Sequence, residues 1–119
     1  MEVVILADAK EIGVVAADAI GALLDREPAA VLGLATGSSP TAIYDELAAR
    51  CDAGLVSFRQ VRGFTLDEYV GLPADHPQRY RNVIDAALVS RVDFAPGAVQ
   101  GPDGLAADIP AACAAYENA

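Results

Sequence analysis

Basic residues are scarce in this sequence, and their scarcity limits the partners that it can have. Eight Lys and Arg residues stand against seventeen Asp and Glu residues, which gives a formal net charge of −9 at pH 7. No cluster of Lys or Arg offsets this charge locally. Because phosphate backbones and acidic lipid surfaces repel such a charge, we expect no nucleic acid partner and no membrane partner.

Cysteine is also sparse. Cys51 and Cys113 are far apart in the sequence, and neither belongs to a Cys-x-x-Cys pair or to a Cys/His ligand spacing. This pattern argues against a zinc site and against a disulfide scaffold. We therefore predict no metal and no other cofactor, and we interpret both cysteines as reduced packing residues.

Long apolar runs are missing too. The hydrophobic fraction is 54%, but much of it is Ala, and no run approaches the roughly 20 residues that a membrane span requires. The opening "MEVVILADAKE" has acids at Glu2 and Asp8, where a signal peptide would have a basic region ahead of a long apolar segment. We expect a soluble, cytoplasmic protein. A length of 119 residues allows one domain at most.

Short apolar runs, by contrast, are present and predict β-strands that are covered on both faces. They are "EVVIL" at 2–6, "AAVLGLA" at 29–35 and "VRGFTL" at 61–66, and a further short strand is predicted at 98–100. Each of the longer runs is bounded by polar or turn-forming residues, so the strands are predicted to be separate elements.

Between these runs the apolar residues recur at intervals of three and four, as in amphipathic helices. The first helix has its stripe from Ile12 to Leu23 and is closed by Pro28, and others are predicted at "SPTAIYDELAAR", 80–88 and 105–116. The alternation predicts an α/β fold, a three-layer parallel sheet with helices on both faces. No Gly or Pro stop signal follows the last helix, "AACAAYENA", so we expect a truncated domain.

The loop "LATGSSPTA" follows the second predicted strand and opens the second helix. Gly37 allows a tight turn, Ser39 is predicted as the N-cap and Pro40 as the first helical residue. Backbone N–H groups there, with the hydroxyls of Thr36, Ser38 and Ser39, would hold an anion such as a phosphate. The loop has neither a Walker A nor a Gly-x-Gly-x-x-Gly pattern, so nucleotide binding is not indicated. The alternative interpretation is simply a capped helix.

Two adjacent acids, Asp67 and Glu68 in "TLDEYVGLPADHP", stand where the third predicted strand ends. In open parallel sheets, ligands bind beyond the carboxyl ends of the strands. Strand alternation would send one of these side chains inward and the other away. The alternative is solvated surface charge, but the neighbouring anion loop and the apolar continuation favour a site. A partly desolvated carboxylate there could serve as a general base.

Two stretches together, "LGLATGSSPTAIYDEL" and "FTLDEYVGLPADHPQRYR", resemble the glucosamine-6-phosphate deaminase family. The resemblance covers nearly all of the chain and implies a Rossmann-like, NagB-type α/β fold. It also implies a reaction of amino-sugar catabolism, in which D-glucosamine 6-phosphate and water give D-fructose 6-phosphate and ammonia. The implied chemistry is an aldose–ketose isomerisation with deamination and needs no cofactor.

The resemblance also implies roles for individual residues. Asp67 matches the general base that moves a proton from C2 to C1 of the opened sugar. Glu68 is interpreted as a structural residue that holds the loop and does not touch C2. Ser39 stands where many members carry Thr, a change that keeps the hydroxyl. The residues that match the loop against the sugar phosphate are Thr36, Gly37, Ser38 and Ser39.

One departure from the family is large. Members are much longer, and their second half carries an Asp-Gly-His segment for ring opening, a nearby Glu and basic side chains for the phosphate. We therefore expect residues 1–119 to be the N-terminal half of a single NagB-type domain, inactive alone, with a possible homo-oligomer in the full-length protein. The lone His76 is interpreted as a loop or N-cap residue and not as a replacement for the missing His.

Other functions of the same fold stay open. NagB-like domains also serve as sugar-phosphate sensors, which would need the loop at 36–39 but not a base at Asp67. Related 6-phosphogluconolactonases share the fold and a comparable loop, although their acid segment differs. Four arginines are close to the site in sequence, and none of them is assigned to the phosphate: Arg59, Arg62, Arg79 and Arg81.

Overall fold

The computed structural model of the chain describes residues 3–119. Over these residues, helices and parallel strands alternate, as the periodicity predicts. The elements, in chain order, are α1 (Ala9–Arg26), β1 (Val31–Leu34), α2 (Thr41–Asp52), β2 (Arg62–Thr65), α3 (Tyr80–Ala87), a 3₁₀ turn (Val89–Arg91), β3 (Val99–Gln100) and α4 (Ile109–Glu117).

The strands form one parallel sheet in the order β1-β2-β3. Leu34 of β1 lies opposite Thr65 of β2, and Gly63 lies opposite Val99 of β3. Because parallel neighbours end at the same edge of a sheet, the segments that follow β1 and β2 emerge side by side. This edge carries the residues singled out in the sequence.

Helices cover both faces of the sheet. On one face Leu34 and Val99 pack in a core with Leu47 of α2 and Ile84 of α3, and Gly63 points into the same core. Phe64, one residue further along β2, faces the other way because side chains alternate along a strand. Its ring lies 5.9 Å from that of a tyrosine in α4. The predicted three-layer α/β arrangement is therefore confirmed.

Helices α1 and α2 pack at very short range. A Cβ atom added to Gly13 of α1 would lie 2.6 Å from the carbonyl oxygen of Ala42 in α2, so the two backbones are in direct contact there. Arg50 of α2 adds an ion pair to Asp18 of α1, with 2.7 Å between Nη1 and Oδ1. The interface thus combines a close backbone contact with a charged pair at its margin.

The predicted strand at 2–6 is not formed. Glu2 lies outside the described residues, and residues 3–6 have no strand structure. Val3, Val4 and Ile5 are 71%, 56% and 91% exposed. A strand requires a neighbouring strand to pair its backbone groups, and within residues 3–119 this segment has none. Apolar composition alone could not reveal whether such a partner exists.

The carboxyl-terminal helix also differs from the prediction. It begins at Ile109 and not near Leu105, because the Asp108 carboxylate accepts a hydrogen bond from the Ala111 N–H at 2.9 Å and caps the helix. No residue of α4 is fully buried, and Cys113 is exposed, so its interpretation as a packing residue is wrong. Cys51 is partly buried against the core, as expected. Over residues 3–119, no helix is both long and apolar enough to cross a bilayer.

Candidate active site

The candidate site lies at the carboxyl ends of β1 and β2. The loop after β1 contains Thr36, Gly37, Ser38 and Ser39, and the loop after β2 contains Asp67 and Glu68. Leu34 and Thr65, the last residues of the two strands, are paired in register. The structure thus places the two sequence motifs next to each other, although they are far apart in the chain.

The loop after β1 turns at Gly37, which has φ = 96°, a left-handed value that only Gly adopts at low cost. Gly37, Ser38 and Ser39 are exposed, while Thr36 is half-buried. The Tyr44 hydroxyl of α2 donates a hydrogen bond to the Ala35 carbonyl at 2.7 Å and ties the start of the loop to the helix. The start of the loop is therefore fixed to α2, and residues 37–39 are exposed to solvent.

The predicted N-cap is wrong by one residue. Pro40, not Ser39, is the N-cap of α2, because its carbonyl accepts the N–H of Tyr44 at 3.0 Å and Thr41 is the first helical residue. Pro40 is therefore not the first helical residue either. No side chain caps α2, so its amino end offers backbone N–H groups beside the exposed hydroxyls of Ser38 and Ser39.

Asp67 and Glu68 point in different directions, as strand alternation predicts. Asp67 is exposed at the site, whereas the side chain of Glu68 is only 3% exposed. Two neighbouring carboxylates therefore have different environments, and only Asp67 is open to a ligand.

Glu68 binds the amino end of α3. Its carboxylate accepts backbone N–H bonds from Tyr69 and Tyr80, both at 2.9 Å, and from Arg81 at 3.0 Å. The Nε atom of Arg79 lies 3.6 Å from Oε2. Burial by itself raises the pKa of Glu68, but the three hydrogen bonds and Arg79 together lower it below the ordinary value of 4.5. Glu68 is thus an ionised anchor between the acid loop and α3.

Tyr80 is a site residue that the sequence reasoning missed, since it was interpreted only as part of a helical stripe. Its ring lies 4.8 Å from that of Tyr69, and the two hydroxyl oxygens are 3.3 Å apart. The pKa of Tyr80 is raised, first of all by the hydrogen bond to the Tyr69 hydroxyl. Tyr80 is therefore attached to the acid loop through Glu68 and Tyr69.

The acid loop is also tied to the segment after β3. The N–H of Gly71 donates to the carbonyl of Gly104 at 2.9 Å. A Cβ atom at position 104 would collide with the carbonyl oxygen of Tyr69, so this backbone contact needs Gly. No local pattern near position 104 indicates the contact.

Three of the four arginines named in the sequence analysis contact carboxylates: Arg59, Arg79 and Arg81. Arg62 lies over the ring of Phe64, 5.7 Å from its centroid. Arg81 donates to the Val99 carbonyl and to Asp85, and Arg59 pairs with Asp93 at 3.2 Å. His76 lies in the loop before α3, where its Nδ1 accepts the Gln78 N–H at 3.2 Å. Within residues 3–119, no group of three or more His, Cys, Asp or Glu side chains is placed to hold a metal ion.

A cavity away from the candidate site does not suit a phosphorylated ligand. It has a volume of about 520 Å³ and lies between α1 and α2, towards the amino ends of the strands. Asp18, Asp25 and Glu46 line it, and Arg50 is paired with two of these acids. This acidic lining repels anions, so we place the site at the carboxyl ends of β1 and β2.

Comparison with known sequences identifies relatives of the chain. The profile of the family described as glucosamine-6-phosphate isomerases/6-phosphogluconolactonase matches residues 7–119. The chain is 76% identical over 119 residues to a glucosamine-6-phosphate deaminase of Mycolicibacterium smegmatis and 69% identical over 119 residues to one of Beutenbergia cavernae. Each alignment covers 100% of this chain and 46% of the relative, so the chain spans about half the length of these relatives.

Solved structures give the same relationship. A monomeric glucosamine-6-phosphate deaminase of the NagB superfamily superposes with a TM-score of 0.94 at 32% identity, over 99% of this chain and 49% of that one. A 6-phosphogluconolactonase from Thermotoga maritima superposes with a TM-score of 0.78 at 25% identity, over 95% of this chain and 50% of that one. The predicted NagB-type fold is confirmed by these superpositions.

Proposed function

Since the chain belongs to the family of glucosamine-6-phosphate isomerases and 6-phosphogluconolactonases, we propose that it is the N-terminal half of a glucosamine-6-phosphate deaminase. In this proposal residues 1–119 are half of a single NagB-type domain. The whole protein converts D-glucosamine 6-phosphate and water to D-fructose 6-phosphate and ammonia, and so acts as a hydrolase on a C–N bond in amino-sugar catabolism. Because a charged sugar phosphate does not cross a bilayer unaided, we place this activity in the cytoplasm.

The different environments of the Asp67 and Glu68 carboxylates are the observation that carries the proposal. Glu68 is buried, and its carboxylate accepts three backbone N–H groups, so it is committed to structure. Asp67 is exposed just after β2, whose parallel neighbour β1 leads into the loop that contains Thr36 and Ser38. A free carboxylate next to an anion-binding loop suits proton transfer on a phosphorylated substrate.

The proposed mechanism uses these residues in turn. The backbone N–H groups at the start of α2, with the hydroxyls of the 36–39 loop, hold the sugar phosphate. The carboxylate of Asp67 takes the proton from C2 of the open-chain sugar and returns it to C1, which converts the aldose into a ketose derivative. Water then adds at C2 and ammonia leaves. General base catalysis of this kind contributes about 10²- to 10⁴-fold to a rate.

The 119-residue chain is proposed to lack this activity by itself. Ring opening needs an acid–base group near the ring oxygen, and His76, the single His of the chain, lies in the loop before α3 with Nδ1 accepting the Gln78 N–H. Arg59, Arg79 and Arg81 contact carboxylates, and Arg81 also contacts a carbonyl, so we assign none of these three to the phosphate. The acid–base group for ring opening and the basic side chains for the phosphate would come from the rest of a family-length polypeptide.

Asp67→Asn in the family-length protein tests the proposal. We expect ammonia release from D-glucosamine 6-phosphate to fall by about 10²- to 10⁴-fold, with substrate binding nearly unchanged. Asp75→Asn is the matched control, because Asp75 is another exposed acid of the same loop region and should be replaceable. Wild-type turnover in the Asp67→Asn variant would exclude Asp67 as the base.

Binding and turnover assays of the family-length protein distinguish the proposed deaminase from a sensor and from a lactonase. A sensor would bind the sugar phosphate without any turnover, and Asp67→Asn would leave its affinity unchanged. A lactonase would hydrolyse 6-phosphogluconolactone faster than it releases ammonia from the amino sugar. The proposal requires ammonia release to be the faster reaction.

A further inference from the structure

Gly104, in the segment that follows β3, packs against the acid loop through main-chain atoms. We propose that Gly104 is a positioning residue for the reaction: it holds the turn at Tyr69–Gly71, and so fixes the loop that carries Asp67. This inference rests on the proposed function, in which Asp67 is the base.

Gly104 contacts the acid loop at two points. Its carbonyl accepts a hydrogen bond from the Gly71 N–H at 2.9 Å. A Cβ atom at position 104 would collide with the Tyr69 carbonyl oxygen and would lie 3.3 Å from Cγ of Glu68, the residue that directly follows Asp67. The backbone of the acid loop therefore rests directly on the backbone of Gly104.

The close approach, and not the backbone conformation, requires Gly at position 104. Gly104 is buried, and its φ is not left-handed, unlike that of Gly71 with φ = 81°. What excludes a side chain is the Tyr69 carbonyl oxygen, a backbone atom that cannot rotate away as the end of a flexible side chain does. A methyl group at position 104 therefore tests this contact without straining φ.

Gly104 is itself held in place by the turn at 103–106. The Asp103 carboxylate accepts the Leu105 N–H at 2.9 Å, and the Asp103 carbonyl accepts the Ala106 N–H at 3.3 Å. An aspartate that bonds the backbone two residues further on stabilises a turn locally. The contact with the acid loop thus starts from an ordered segment.

The same segment packs against the chain before Asp67 as well. A Cβ atom on Gly101 would collide with the hydroxyl oxygen of Thr65, the buried last residue of β2. Gly101 and Gly104 therefore contact the chain on both sides of Asp67. Because the Asp67 side chain is exposed, its place depends on this backbone, and a misplacement of a catalytic group by about 1 Å can cost on the order of 10²-fold in rate.

Gly104→Ala in the family-length protein is the test. We expect kcat to fall by about tenfold or more with KM changed by less than about threefold, because the three atoms nearest to the new methyl group all belong to the acid loop. Gly21→Ala is the matched control, since it adds the same methyl group where no atom lies within 4 Å, and should leave both parameters near wild type. Equal kcat values for Gly104→Ala and wild type would overturn the proposal.

A second control separates positioning from a loss of stability. Leu24 is a buried core residue near the end of α1 that leads into β1, at the opposite edge of the sheet from the site. Leu24→Ala should lower the urea midpoint while the folded enzyme keeps a kcat near wild type. A loss of kcat as large as that of Gly104→Ala would show that lowered stability explains both, and would overturn the positioning role.

A milder variant loosens the turn at 103–106 without adding atoms next to the acid loop. Asp103 is exposed, and Asp103→Ala removes the acceptor of the Leu105 N–H, whereas Asp103→Asn keeps an oxygen that accepts it. We expect Asp103→Ala to lower kcat by about threefold or more and Asp103→Asn to stay near wild type. Equal kcat values for these two variants would contradict the proposal, because a loop that depends on Gly104 must respond when its turn loosens.

A double variant separates this inference from the proposed function. If Gly104 acts through Asp67, adding Gly104→Ala to Asp67→Asn will cause no further loss of kcat. A further loss equal to that of Gly104→Ala alone would show an independent action and would overturn the positioning role. Wild-type turnover in Asp67→Asn would defeat the proposed function, whereas an unchanged Gly104→Ala beside a strongly impaired Asp67→Asn would defeat this inference alone.

Discussion

At the scale of single residues, Glu68 contributes more contacts than any other acid of the site. Its buried carboxylate accepts the N–H groups of Tyr69, Tyr80 and Arg81. We expect Glu68→Ala to reduce the free energy of unfolding by about 1–3 kcal/mol, because buried N–H donors would be left without acceptors. Glu68→Gln should cost less, since its amide oxygen still accepts. Urea denaturation measures both, and Glu117→Ala, at an exposed position, is the control. Equal effects of Glu68→Ala and Glu117→Ala would contradict the anchoring role.

Asp93 and Glu68 together predict how stability depends on pH. Burial by itself raises the pKa of Asp93, but hydrogen bonds from the Phe58 N–H at 2.6 Å, the Ser57 hydroxyl at 2.7 Å and the Cys51 thiol at 3.3 Å lower it below the ordinary 3.8. The pKa of Glu68 is lowered from 4.5.

A carboxylate with a lowered pKa binds protons more readily in the unfolded chain than in the folded one. Its stabilisation is therefore complete above the unfolded pKa and is lost as the pH falls through the folded pKa. We expect the free energy of unfolding to decrease below about pH 4.5. The double variant Glu68→Gln and Asp93→Asn should show a flatter dependence in urea titrations between pH 6 and pH 3. An unchanged slope would show that other acids govern acid stability.

At the scale of elements, two glycines of α1 make a matched pair. Gly13 contacts the Ala42 carbonyl of α2, whereas no atom lies within 4 Å of a Cβ placed on Gly21. Gly21→Ala should stabilise the protein by about 0.5–1 kcal/mol through helix propensity. Gly13→Ala should destabilise it by about 1–3 kcal/mol, because α1 and α2 must separate. Denaturation midpoints of the two variants should therefore move in opposite directions, and a shift in the same direction would refute the close contact.

Elements with strong local signals could be predicted from the sequence. The runs at 29–35 and 61–66 contain β1 and β2, and the stripe that Pro28 closes corresponds to α1. The run at 2–6 has the same local signal, yet residues 3–6 form no strand, because strand formation depends on a partner that composition does not specify. The N-cap of α2 was wrong for another reason: the first helical bond goes to the Pro40 carbonyl, and a pattern that fits both residues does not specify which carbonyl accepts it.

The motifs of the site, but not their connections, could also be predicted. The loop at 36–39 and the acid pair were found from turn chemistry and from their places at strand ends. The links through Tyr80 and Gly104 join residues that are distant in sequence and depend on tertiary geometry. No spacing rule indicates such contacts, and only the folded structure shows them.

At the scale of the whole molecule, the exposed apolar surface and the net charge have opposite effects on self-association. Several apolar side chains are exposed, namely Val3, Val4, Ile5, Leu66 and Val70, and the net charge is −9. Apolar surface favours association of copies, while like charges disfavour it. We expect the 119-residue chain to self-associate increasingly as NaCl is raised, since salt shortens the Debye length to about 3 Å at 1 M. Sedimentation velocity at low and high salt measures this. A monomer under both conditions would show that these side chains do not form a cohesive patch.

The contact between Gly104 and the turn at Tyr69–Gly71 restricts insertions and deletions in related sequences. Main-chain atoms form it, so its geometry depends on the number of residues between β3 and position 104 as much as on their identity. An insertion or deletion between Gln100 and Gly104 would move the carbonyl that accepts the Gly71 N–H and, with it, the loop that carries Asp67. Natural length variation should therefore be absent from this short segment and tolerated in surface loops that do not touch the loop carrying Asp67.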